Sequence, residues 1–167
     1  MGEIITELRI NQNASDAMDA AIAEWLGVNR TDVMCLDILA RLGTVPAGRL
    51  AEESRLTTGA ITAVLDRLER AGYVQRLADP SDRRRVLVET TERFKELAEH
   101  AYGPVAYALV DAGSRFTKEQ LAGIREFLRL GAELSYRRAE EITAEATNRG
   151  SVHGLHSRGG RTLHPGC

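Results

Sequence analysis

The sequence predicts a mainly α-helical chain of six helices with a small β-hairpin, and three observations carry that reading. Apolar residues recur at helical spacing over most of the chain. Caps and glycine stops cut the periodic pattern into pieces of ordinary helix length. Only residues 73–77 and 85–90 are rich in Val, Leu, Tyr and Thr over a strand's length, with an Asp-Pro and Ser-Asp turn between them.

Residues 4–26 form the first helical pattern, with a possible break at Asn11-Gln12-Asn13. In its second half Met18, Ile22, Trp25 and Leu26 share a face, Ser15-Asp16 can cap it, and Gly27 ends it. Asn29 or Thr31 caps the second helix, whose stripe is Val33, Leu36, Leu39 and Ala40. Pro46 suits the first turn of a short third helix, where its missing N–H is no loss, and Leu50 and Ala51 face inward. After Ser54-Arg55-Leu56, Thr57 or Thr58 caps a fourth helix that runs to Ala71 and stops at Gly72.

The hairpin follows, and Thr90 or Thr91 opens a fifth helix. Gly103-Pro104 predicts a kink or break there, because proline lacks the N–H and clashes with the preceding turn. Thr117-Lys118-Glu119-Gln120 is a capping box for a sixth helix bearing Leu121, Ile124, Phe127, Leu128, Leu130 and Leu134. Those residues cover more than one face, which predicts deep burial or a second chain. From residue 147 on, five glycines, no acid and little aliphatic content predict a disordered tail over 147–167.

The bounds are those of a single domain. A chain of 167 residues, 43% hydrophobic and 28% charged, can bury a proper core. The net charge of −2 does not announce a nucleic-acid binder, so any cationic surface must be local. No window of about 18 uncharged apolar residues spans a membrane, and Met1-Gly2-Glu3 is no signal start. Cys35 and Cys167 form no CxxC pair, which predicts reduced thiols and a cytoplasmic chain.

Function is concentrated around the fourth helix. Ile61, Val64, Leu65 and Leu68 anchor it, while Gly59, Thr62, Ala63, Asp66, Arg67 and Arg70 lie opposite. Small residues in the first turns let Thr57, Thr58, Gly59, Ala60, Thr62 and Ala63 approach bases and phosphates, with Thr62 at a base edge. Arg67 reaches phosphate or guanine, and Asp66 pairs with Arg67 or Arg70. Arg83, Arg84 and Arg85 repel one another at the hairpin turn, so they call for a polyanion. Helix, helix, hairpin in that order is a winged helix, and the expected partner is double-stranded DNA.

Leu50-Ala51-Glu52, Leu56-Thr57-Thr58-Gly59-Ala60-Ile61-Thr62, Asp66-Arg67-Leu68-Glu69-Arg70-Ala71-Gly72-Tyr73-Val74 and Asp79-Pro80-Ser81-Asp82-Arg83-Arg84 together resemble the core of MarR-family transcriptional regulators. The resemblance is strongest over residues 28–97. It implies a homodimeric winged-helix repressor or activator on pseudo-palindromic operators, repression being the expectation, with release by a small-molecule effector. It also implies a division into a DNA-binding region (28–91) and dimerisation helices (1–27 and 92–146) within one domain (1–146). The wing arginine of the minor groove is then Arg84, supported by Asp82, with Arg83 and Arg85 on phosphate. Position 55, often glycine in such sequences, is Arg55 here; if left-handed, its backbone stores on the order of 1 kcal/mol.

Other features point less sharply. Trp25, Met34, His100, Tyr102 and Tyr107 are candidate effector contacts, although core packing suits each of them. Cys35 sits inside the second helix as a structural residue. His153, His156, His164 and Cys167 match no metal-ligand spacing. No phosphate loop, catalytic triad or paired carboxylates stand out, so neither an enzyme nor a cofactor is expected. Two other classes remain in view. A winged-helix protein-interaction module lacks salt-dependent DNA binding, and a thiol or metal sensor responds to oxidant or zinc.

Overall fold

The structure is a computed structural model that describes the backbone of residues 1–82 and 85–156 and the side chains of 1–82 and 85–146. In order its elements are α1 (Gly2–Leu26), α2 (Arg30–Leu42), β1 (Val45–Pro46), α3 (Ala47–Ser54), α4 (Thr58–Arg70), β2 (Val74–Ala78), β3 (Val86–Thr90), α5 (Glu92–Gly113) and α6 (Lys118–His156). The strands form one antiparallel sheet in the order β1-β3-β2, with Val74 opposite Thr90 and Val45 opposite Val88. Two compact units result, Met1–Ala108 and Leu109–Cys167.

Local chemistry sets the boundaries in the first unit. Gly27 takes a left-handed φ of 68°, its N–H donating to the Ala23 and Glu24 carbonyls, and so closes α1. The Asn29 side chain accepts from the Asp32 N–H at 2.9 Å, while the Asp32 carboxylate accepts from the Asn29 N–H at 3.3 Å. This reciprocal box starts α2. Thr57 Oγ1 accepts from the Ala60 N–H at 3.3 Å to start α4. Gly72 ends the turn after α4 at a φ of 76°, where an added Cβ would lie 3.0 Å from the Arg93 guanidinium.

The core collects one face from each element. Leu36 and Leu39 of α2, Leu50 of α3, Leu65 and Leu68 of α4, and Val88 of β3 are sealed from solvent. Tyr73, Val74 and Phe94 extend the cluster. Each such side chain contributes roughly 1.5–3 kcal/mol of burial. The Tyr73 hydroxyl also donates to the Leu26 carbonyl at 2.9 Å, tying the exit of α4 to the end of α1.

Several boundaries differ from the sequence expectation. α1 runs unbroken through Asn11-Gln12-Asn13, because polar residues of middling propensity cost only tenths of a kcal/mol each inside an established helix. Pro46 lies in β1 and caps α3 from outside it; an edge strand tolerates its missing donor. α5 is one helix through Pro104. Its first half is held by Phe94, Leu97 and Ala98 in the core, so the lost backbone bond at Pro104 is tolerated. α6 continues to His156, beyond the point at which composition predicts disorder; residues 157–167 lie outside the described residues.

α6 by itself starts as expected. The Thr117 N–H donates to the Gln120 side chain at 2.8 Å, and the Gln120 N–H donates to Thr117 Oγ1 at 3.2 Å. Further along, Arg129 bridges Glu126 and Glu133, and Arg138 bridges Glu141 and Glu145. Exposed pairs of this kind are screened by solvent and add little to stability.

Candidate nucleic-acid interface

α3 and α4 are joined by Arg55, Leu56 and Thr57, with Arg55 left-handed at φ 56° and ψ 29° as the turn requires. The Leu56 N–H returns to the Ala51 carbonyl at 3.1 Å and Arg55 N–H to Glu52 at 3.2 Å, which closes the end of α3. With Ile61, Val64, Leu65 and Leu68 buried, α4 turns Thr58, Gly59, Thr62 and Ala63 to solvent, and Ala60 is half-buried. A Cβ built at Gly59 meets nothing within 4 Å, so the space beside the first turn of the helix is open. Thr62 Oγ1 donates to the Thr58 carbonyl at 2.9 Å, and as a hydroxyl it can still accept. Thr57 uses its hydroxyl as the cap.

The hairpin turn is organised by an acid that the sequence reading passed over. Asp79 is 7% exposed. Its Oδ1 accepts from the Ser81 N–H at 2.8 Å, the Ser81 hydroxyl at 2.6 Å and the Asp82 N–H at 3.3 Å, while Oδ2 lies 3.9 Å from Arg85 Nε. The Ser81 bonds, hydroxyl first and backbone next, hold the Asp79 carboxyl below its ordinary range. The Asp-x-Ser spacing is the signal of an Asx turn and was visible in the sequence. The Arg85 N–H donates to the Asp82 carbonyl at 2.9 Å, and the side chains of Asp82 and Arg85 are both exposed. Arg83 and Arg84 lie outside the described residues. Between this turn and α3 is a groove of about 630 Å³ flanked by Arg49 and Arg85.

The charged end of α4 departs from the expected pairing. Asp66 bonds to Arg76 of β2 at 2.6 Å, not to Arg67 or Arg70, and Glu69 bonds to the same guanidinium. β2 runs back alongside α4, which brings Arg76 within reach. Arg67 instead binds Asp32 of α2, through Nε to Oδ2 at 3.1 Å and Nη2 to Oδ1 at 2.5 Å. Asp32 is 1% exposed. An acid three residues into a helix signals a cap, and nothing in its spacing pointed to a partner on α4.

The effector candidates do not all converge. Tyr102 lines a cavity of about 470 Å³ with Ile22, Leu26, Val33, Leu36 and Phe94, edged by Asp37, Lys95 and Glu99. Burial and then Asp19 push its phenol up to about 12, and the hydroxyl donates to Asp19 at 3.3 Å. The Trp25 and His100 rings pack at a tilt, 5.7 Å between centroids, beside a separate groove of about 310 Å³. Met34 is exposed on α2, and Tyr107 is exposed and bonded to Glu99; neither lines these spaces. Cys35 is buried, and burial first, then Asp32, pushes its thiol up to about 11, against thiolate chemistry.

The MarR family model matches residues 28–86. An uncharacterized HTH-type transcriptional regulator of Bacillus subtilis, YcgE, is 36% identical over 122 residues, covering 73% of this chain and 79% of that protein. The HTH-type transcriptional repressor Rv2887 of Mycobacterium tuberculosis is 32% identical over 105 residues, covering 63% and 73%. Among solved structures, wild-type apo MarR of E. coli is similar at 25% identity and a TM-score of 0.53, over 77% of this chain and 93% of that one.

Proposed function

This chain belongs to the MarR family of DNA-binding transcriptional regulators, and from that premise we propose that it represses transcription as a homodimer on pseudo-palindromic operators and is released by a small-molecule effector. The single observation that carries the DNA reading is the pairing of two features in one unit. α4 presents a small, open first turn, and in the same unit the Asp79-organised turn presents an exposed Arg85.

In this reading Thr57, Thr58, Gly59, Ala60, Thr62 and Ala63 enter the major groove, with Thr62 at a base edge. Arg84 enters the minor groove, steadied by Asp82, and Arg83 and Arg85 hold phosphate. Residues 28–91 then make the DNA-binding region, with 1–27 and 92–146 as dimerisation helices. The apolar, exposed surface of α6 supports the dimer, and the similarity to a repressor supports the sign. The cavity beside Tyr102 supports the effector. Among the described residues no helix is long and apolar enough to cross a membrane.

Selection of genomic fragments by the purified protein, followed by titration at two salt concentrations, tests the reading. Binding must weaken as salt rises. Arg84→Ala is expected to relax preference at A·T-rich outer positions, and Thr62→Ala at inner ones by about 1–3 kcal/mol at most. Salt-independent or absent binding would leave a protein-interaction module as the better reading.

A further inference from the structure

We propose that Asp32 and Arg67 form a clamp that positions the recognition helix α4, and that Arg67 acts through this clamp instead of holding DNA phosphate. The inference rests on the DNA-binding reading and deepens it. By pattern Arg67 is a natural DNA contact, because it lies on the side of α4 opposite its buried stripe. The structure commits its guanidinium elsewhere. Its planar fork sits on both oxygens of Asp32, at 3.1 and 2.5 Å.

The two partners are unequal. Asp32 is 1% exposed, while the Arg67 side chain keeps 41% of its surface. A buried carboxylate needs a cation and hydrogen bonds, so withdrawing Arg67 toward phosphate would strand a charge inside the protein. The pair is also close to neutral as a unit, so it adds little attraction for a polyanion. Its return is geometric. Ile61, Val64, Leu65 and Leu68 hold α4 by apolar packing, which tolerates a small rotation about the helix axis. A two-point fork onto a carboxylate fixed by its own cap to Asn29 does not. The rotation it forbids is the one that would turn Thr62 away from a base edge.

Arginine and lysine separate the two roles, since lysine keeps the charge but loses the fork. We would compare wild type, Arg67→Lys, Arg67→Gln, Asp32→Asn and the double variant Asp32→Asn/Arg67→Gln, each first checked for folding by circular dichroism. The probes are the genomic fragment most enriched by wild type and a mixed-sequence duplex titrated across salt. Arg67→Lys and Arg67→Gln are expected to lose operator affinity alike, roughly tenfold, with the salt slope on the mixed duplex unchanged. The double variant is expected to be no worse than either single. If Asp32→Asn does not fold, Asp32→Glu takes its place: it shifts the carboxylate under the fork and is expected to lose operator affinity as the Arg67 variants do. Wild-type affinity in Asp32→Glu would make Arg67 a direct base contact and overturn the proposal. A slope lowered by about one ion in Arg67→Gln and restored in Arg67→Lys would make Arg67 a phosphate contact and overturn the proposal. Unchanged operator affinity in every folded variant would also overturn it. Failure of wild type itself to bind the mixed duplex at low salt is a separate result, and it would sink the DNA-binding reading.

Discussion

The cluster around α2, α3 and α4 and the long helix α6 treat apolar side chains in opposite ways. In the cluster Leu39, Leu50 and Val88 are 0% exposed, and every element contributes one face to a shared interior. On α6, Leu130 is 44% exposed and Leu134 60%, with Leu121, Ile124 and Phe127 also open. One chain completes the DNA-binding fold. The same chain leaves α6 with an apolar surface of a kind rare on monomers. We take that difference as the mark of two roles: a self-sufficient reading head, and a surface meant for a second copy.

The sharpest way to break the comparison is to truncate one leucine in each region. Leu50→Ala, in the sealed interior, is expected to cost roughly 2–5 kcal/mol in urea unfolding. Leu134→Ala is expected to change the fold of the monomer little and to act through association. Equal losses at limiting dilution would erase the distinction. The association arm is read by sedimentation at micromolar concentration. Wild type should run as a dimer, and Phe127→Asp should weaken it by roughly 2–4 kcal/mol, the range of a central interface residue. A monomeric wild type would remove the second role altogether.

Much of the reading head was legible because local rules and the global fold agree there. Asn29, Thr57, Gly27 and Gly72 stand where helices start and stop, and the stripe Ile61, Val64, Leu65, Leu68 is the buried one. What escaped the sequence depends on contacts between distant elements. Asp32 looks like a cap and is one, yet its second partner lies 35 positions away. Asp66 finds Arg76 because β2 folds back along α4. β1 is too short to show an alternating pattern and exists through pairing with β3. Tyr102 and Trp25 were grouped as one candidate site, but the packing of α1 against its neighbours gives them separate grooves.

A milder test lies in the hairpin. Asp79 has its carboxyl held below the ordinary range by the Ser81 and Asp82 bonds. An acid depressed by folding adds stability that is fully present above its unfolded value of about 3.9 and is lost as pH falls through the lower folded value. Urea unfolding of wild type and Asp79→Asn should therefore converge as pH drops below about 4. Curves that stayed parallel well below that pH would mean that the turn does not depend on the Asp79 charge. The reading head would then owe its hairpin to the strands alone.

The smallest expected effect belongs to Arg55, where the reading head accepts strain to join α3 to α4. Its backbone sits at φ 56° and ψ 29°, a region that costs a residue with a Cβ on the order of 1 kcal/mol. Arg55→Gly relieves that strain but loosens the unfolded chain and removes the arginine side chain. The net expectation is neutral to a gain of about 0.5–1 kcal/mol. Arg55→Ala separates the terms, because it deletes the same side chain and keeps the Cβ. Glycine should then exceed alanine by roughly 1 kcal/mol in urea unfolding, whatever the side chain contributes. Operator affinity should not change in either variant, since the turn keeps its shape. If alanine matched or exceeded glycine, the turn would not be strained, and the left-handed geometry between the two helices would have to be abandoned.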